Sequence, residues 1–188
     1  MKKVFFLFLF SNFLFGQVEY ENKIIGLPNE LQPYELRIYI SQDGYLNKSV
    51  FILKRVNEHW IAEYYKILIN KFEKVTIPVD RGRNLWLGII NTKINKLPSI
   101  DDISYKEESD EIYLSENDEK SLVIGRNLIT TNHHPKFYSV YINDGKIFHN
   151  VLMTNPKIRF YEFPNIDEYQ YFFKFLWLIE NELKISLD

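Results

Sequence analysis

"YELRIYISQDGYLNKSVFILKRVNEHWIAEYYKILI" spans residues 34–69, and its reading decides the fold. In its first seven residues Tyr34, Leu36, Ile38 and Ile40 alternate with Glu35, Arg37 and Tyr39. Alternation with period two is the mark of a half-buried strand, because successive side chains leave a strand on opposite faces. Asp43-Gly44 supplies a turn, "SVFILKRV" a second strand, Asn57-Glu58 a second turn and "HWIAEYYKILI" a third strand. Connections this short cannot make a parallel crossover, so the three strands form an antiparallel meander. "KFEKVTIPV" adds a fourth strand that ends at Pro78.

Working outward, residues 17–33 read as a polar lead-in punctuated by Pro28 and Pro33. After the meander, Leu85, Ile89 and Thr92, with Trp86, Ile90 and Lys93 one residue along, give a short helix from Asn84 to Asn91, closed by Pro98. The acidic residues then cluster from Asp101 to Glu119, which reads as a solvated loop. "EIYL" and "SLVIG" are candidate short strands beyond it.

"KFYSVYI", "NDG" and "KIFHNVL" form the strongest hairpin signal. A two-residue Asp144-Gly145 turn would set His149 opposite Val140, and a three-residue loop would set it opposite Ser139. At the end of the chain Asn165 is the expected N-cap, with Glu168 three residues on. From there Tyr169, Phe172, Phe173, Leu176, Ile179 and Leu183 keep helical spacing. The expected architecture is α+β: a mostly antiparallel sheet with the C-terminal helix packed on one face and one shorter helix.

The first residues, "MKKVFFLFLFSNFLFGQ", place Lys2 and Lys3 before an apolar run. That is the layout of a secretory signal peptide, with cleavage expected after Gly16. The run falls short of the about 20 apolar residues that a membrane-spanning helix needs. Residues 1–16 are thus expected to be a signal peptide and 17–188 a single exported domain, periplasmic or secreted, with no transmembrane segment in the mature chain. Losing Lys2 and Lys3 takes the 23 basic residues to 21 against 25 acidic ones, and with no basic stripe nothing calls for nucleic acid. The absence of cysteine excludes disulfides, thiolate metal sites and a cysteine nucleophile.

Three of the four histidines, His133, His134 and His149, fall near the hairpin. His133 lies six or seven residues along the strand from the partner of His149. That is about 20 Å at 3.3 Å per residue, whereas zinc ligands must converge within about 2.1 Å of one ion. His133 and His149 are therefore weak metal candidates, His59 could join them only through the tertiary fold, and no cofactor is expected. The chain has no phosphate-cradling glycine-rich loop, no G-x-S-x-G and no H-E-x-x-H. Asp101-Asp102 and Glu107-Glu108 read as solvated pairs rather than catalytic ones, and Ser139, His149 and Asp144 do not make a triad. Phe175, Trp177 and Leu178 widen the apolar surface of the last helix and are a candidate partner surface.

Taken together, "YELRIYI", "FILKRVNEHWIAEYY", "LWLGIINTKINKLPS", "YSVYINDGKI" and "FPNIDEY" with a closing helix resemble a group of small, uncharacterised exported bacterial proteins. The resemblance covers most of residues 34–184. It implies export and one α+β domain, and brings no site residues with it. The expected function is non-enzymatic binding of an unknown protein or envelope component. The alternative is a hydrolase or metal-dependent enzyme whose site assembles only in three dimensions.

Overall fold

The computed structural model describes residues 18–69, 71–109, 125–126 and 134–187. The expected signal peptide, His133, "EIYL" and all of "SLVIG" but Gly125 lie outside them.

The meander is present as β1 (Glu35–Gln42), β2 (Asn47–Val56), β3 (His59–Leu68) and β4 (Lys71–Ile77). The hairpin supplies β7 (Lys136–Asn143) and β8 (Phe148–Thr154). The six strands form one antiparallel sheet in the order β4-β3-β2-β1-β7-β8. A separate two-residue ladder pairs β5 (Glu108–Ser109) with β6 (Gly125–Arg126).

Helices cover both faces. On one face α2 (Gly82–Asn91), the single turn α3 (Ile100–Ile103) and α5 (Asp167–Leu183) close over the main core. That core joins Leu36, Ile38, Phe51, Leu53, Tyr138 and Val140 of the sheet to Ile89, Phe172, Phe175, Leu176 and Ile179. On the other face lies α1 (residues 18–25). Its Ile25 packs with Tyr39, Val50, Ile52, Tyr65 and Ile67. The residues read as a polar lead-in thus contain a helix. Val18, Ile24 and Ile25 are too few to show a period of 3.6.

A second layer changes the character of β1, which is buried from Glu35 to Ile40 on both faces rather than half-buried. Its polar side chains are satisfied internally. Arg37 is fully buried; its Nε donates to Glu35 Oε1 at 2.8 Å, Nη1 to the Pro28 carbonyl at 2.6 Å and Nη2 to the Glu30 carbonyl at 3.1 Å. Glu35 Oε2 accepts the Gln32 N–H at 2.6 Å. Tyr39 donates its hydroxyl to Asn22 Oδ1 at 2.7 Å, tying β1 to α1.

Burial pushes the Tyr39 phenol up to about 12, against the opposing pull of Arg37. Burial likewise raises Tyr169 in α5 to about 12, opposed by the charge of Arg159. The neutral phenol is the form each site favours. The folded protein therefore holds these protons more tightly than the unfolded chain, whose tyrosines titrate near 10.0. The associated stability is complete below that value and is lost as pH rises towards about 12. The urea midpoint is expected to fall through this alkaline window, and Tyr39→Phe is expected to make the fall shallower. An unchanged slope in that variant would show that Tyr39 does not contribute.

The β7–β8 hairpin adopts neither expected register. His149 lies opposite Ile142, and Asn143 opposite Phe148, so Asp144 to Ile147 form a four-residue loop. Asp144 is the cause: its Oδ1 accepts the N–H groups of both Lys146 (2.9 Å) and Ile147 (2.8 Å). Asn143 Oδ1 accepts the Gly145 N–H at 3.0 Å. Side chains that capture the backbone in this way enlarge the loop beyond the minimal turn.

Two further corrections concern the last third. Pro156 starts a short helix, α4 (Pro156–Glu162), that the sequence reading passed over. The cap of α5 is Ile166, with no side-chain capping bond, in place of Asn165. Glu168, largely buried, pairs with Lys106 instead of closing a capping box with Asn165.

The sheet's two edges are protected differently. At β8 the Leu152 N–H donates to Ser99 Oγ at 3.1 Å. At β4 six of seven residues are exposed, and Lys71, Glu73 and Lys74 lie along the strand. Charges on an open edge discourage another strand from pairing there.

Candidate functional site

Glu58 of the Asn57-Glu58 turn, the start of α2 and Tyr34 border a half-open cleft of about 810 Å³. Its construction begins with the turn. Val56 pairs with His59, leaving a two-residue loop, and both Asn57 (φ 47°) and Glu58 (φ 70°) have positive φ. That geometry suits the twist of a hairpin but usually calls for glycine at the second position. Here the second position is Glu58, whose carboxylate reaches back to Arg55 Nη2 at 2.6 Å.

Arg55 links the turn to an aromatic wall. Its guanidinium carbon stands 5.5 Å from the Tyr34 ring centre, and its backbone N–H donates to the Tyr34 carbonyl at 3.2 Å. Tyr34 itself is left-handed, with φ 60°. Its ring meets Trp86 edge-on at 6.2 Å, and Trp86 lies 5.1 Å from Trp60. Trp86 is buried and Trp60 partly so, which fixes both indoles while leaving Trp60 at the cleft.

The start of α2 forms the opposite lip. Gly82 is buried, and a Cβ built there would lie 2.2 Å from Cβ and Cγ of Trp60. No side chain fits between the α2 backbone and the indole. Gly82→Ala must push α2 away from Trp60, with an expected loss of about 2 kcal/mol, read as a lower urea midpoint together with a shifted tryptophan emission. Wild-type stability and emission would show that the two elements separate freely. Exposed Arg81 and Arg83 flank Gly82. The helix has no side-chain N-cap and no acidic residue in its first turn.

The histidines do not gather. His59 lines the cleft. His134 is at the other end of the sheet, where it meets the Tyr45 ring at 5.4 Å and lies against Gly44. His149 is half-buried in β8, its Nε2 at 2.7 Å from the Leu97 carbonyl. Four interstrand spacings separate β8 from β3, on the order of 19 Å. Among the described residues no three His, Asp or Glu side chains are placed to share a metal ion.

The acidic run divides. Asp101 and Asp102 are exposed, and Asp102 completes a capping box with Ser99. Glu107, by contrast, is 14% exposed and receives both Arg159 and the Tyr169 hydroxyl, joining the segment after α3 to α4 and α5. It serves as a structural tie and not as half of a solvated pair.

The candidate partner surface on α5 also divides. Phe175 is fully buried in the core, Leu178 is half-buried against Gly88, and Trp177 is 54% exposed. At 100° per residue, Phe175 shares its face with Phe172, Leu176 and Ile179, while Trp177 points away. The outward side instead continues into α4, where Phe160 stacks on Phe173 at 4.0 Å and Tyr161 is 73% exposed.

Sequence reasoning did not unite Tyr34, Arg55, Trp60, Arg81, Arg83 and Trp86, which come from five separate elements or loops. The one local signal was "DRGR" at residues 80–83, a glycine between two arginines where a helix starts. Compared with models of protein families, with curated proteins and with solved structures, the chain finds no match.

Proposed function

We propose that this is an exported, non-enzymatic binding protein that holds its ligand in the cleft between Trp60 and the start of α2. The cleft carries the reading: about 810 Å³, walled by three aromatic rings and bordered by arginines. Small-molecule sites span roughly 300–1,000 Å³ and combine an apolar wall with a few placed polar groups. Export rests on the Lys2-Lys3 start and the apolar run that follows. No helix among the described residues is long and apolar enough to cross a membrane. An envelope component is the natural source of the ligand.

Leu87 is 51% exposed on the lining, so Leu87→Glu alters the cleft without touching the core. The test is a thermal-shift screen of small molecules against wild type and Leu87→Glu. Compounds that raise the wild-type melting temperature are expected to lose their effect on the variant. Hits that act equally on both proteins, or a screen with none, would overturn the proposal.

A further inference from the structure

The charges in the cleft are not balanced among themselves. Arg55 is already neutralised by Glu58 at 2.6 Å. Arg81 and Arg83 make no ion pair or side-chain hydrogen bond among the described residues, and both line the cleft. Asp80, the remaining carboxylate of the lining, is exposed and pairs with neither. Two free guanidiniums thus flank Gly82 in the sequence and line the same cleft as Trp60. They also sit where the helix's own polarity disfavours positive charge, and no acidic side chain of the first turn offsets them.

An arriving anion would resolve that imbalance. Guanidinium forks match the paired oxygens of carboxylate and phosphate. Trp60, only partly buried, brings an aromatic ring to the same lining. We propose that the cleft selects a ligand with a carboxylate or phosphate group joined to a planar ring, the anion held by Arg81 and Arg83 and the ring lying against Trp60. This rests on the binding-protein reading above and names the chemistry of its ligand. The guanidiniums and the indole wall, not the helix terminus, set the selectivity.

Intrinsic fluorescence tests it. The chain has three tryptophans, and Trp177→Phe leaves Trp60 and Trp86 as the reporters. In that background the full-length protein is titrated with phenyl phosphate, benzoate, phenol and inorganic phosphate. Saturable quenching by at least one of the two ring anions is expected, about tenfold tighter than by phenol. The stronger of phenyl phosphate and benzoate identifies the anion. Arg81→Gln/Arg83→Gln changes two exposed residues, so far-UV circular dichroism should be unaltered while ring-anion affinity drops by about tenfold and phenol affinity stays. Phenol binding as tightly as the anions would overturn the inference and leave the cleft intact as a site. Inorganic phosphate equal to phenyl phosphate would overturn the ring. Emission unmoved by all four probes would overturn both this inference and the cleft reading.

Discussion

Arg37→Met is expected to destabilise the protein severely. The side chain is fully buried and Glu35 beside it is 2% exposed. Removing the guanidinium leaves a buried carboxylate without its cation, and takes the donors from the Pro28 and Glu30 carbonyls. Breaking one side of such a pair costs about 3–5 kcal/mol, out of a total stability of roughly 5–15 kcal/mol. Urea denaturation of the variant should show a midpoint well below that of wild type. Glu35→Leu/Arg37→Met, which removes both charges, should recover a large part of the loss. A single variant within about 1 kcal/mol of wild type would mean that the carbonyls and Glu35 find water once Arg37 is gone.

Phe175→Ala and Trp177→Ala should differ sharply although they are two residues apart. Phe175 is fully buried, with its ring 5.7 Å from that of Phe172. Emptying that space costs about 3–5 kcal/mol. Trp177 stands 54% exposed, and its truncation should change stability by about 0.5 kcal/mol or less. Denaturant unfolding of the two variants decides the matter. Equal losses would place Trp177 in a contact that the fold does not show. The expected contrast removes Phe175 from the candidate partner surface and leaves Trp177 in it.

The parts of the fold legible in the sequence were those with strong local periodicity or short connections. The meander from Tyr34 to Ile69 and the helix from Tyr169 to Leu183 follow from period and turn chemistry alone. The α+β class follows from them. What escaped depended on partners far along the chain. β1 alternates as a half-buried strand does, yet both its faces are covered, because α1 and the segment from Pro28 to Gln32 fold back over Arg37 and Tyr39. The β7–β8 register escaped because Asp144 binds backbone that a minimal turn would leave free. The cleft escaped for the same reason on a larger scale: Trp60 and Trp86 meet only when α2 crosses the end of β3. Its arginines carry no motif, since their meaning lies in having no partner.

The place of β1 in the strand order also sets a timetable. One neighbour, β2, begins at Asn47, five positions after β1 ends at Gln42; the other, β7, begins at Lys136, 94 positions after it. Closing the longer loop costs roughly 2.5 kcal/mol more in chain entropy. The chain emerging from a ribosome, or entering a new compartment from its N-terminus, can complete the first hairpins long before β7 arrives. Until then the most buried strand of the finished protein presents an open edge. The edge of the native sheet is guarded by charge, but this temporary one is guarded only by time, so the yield of folded protein should depend on how quickly the last third of the chain follows the first.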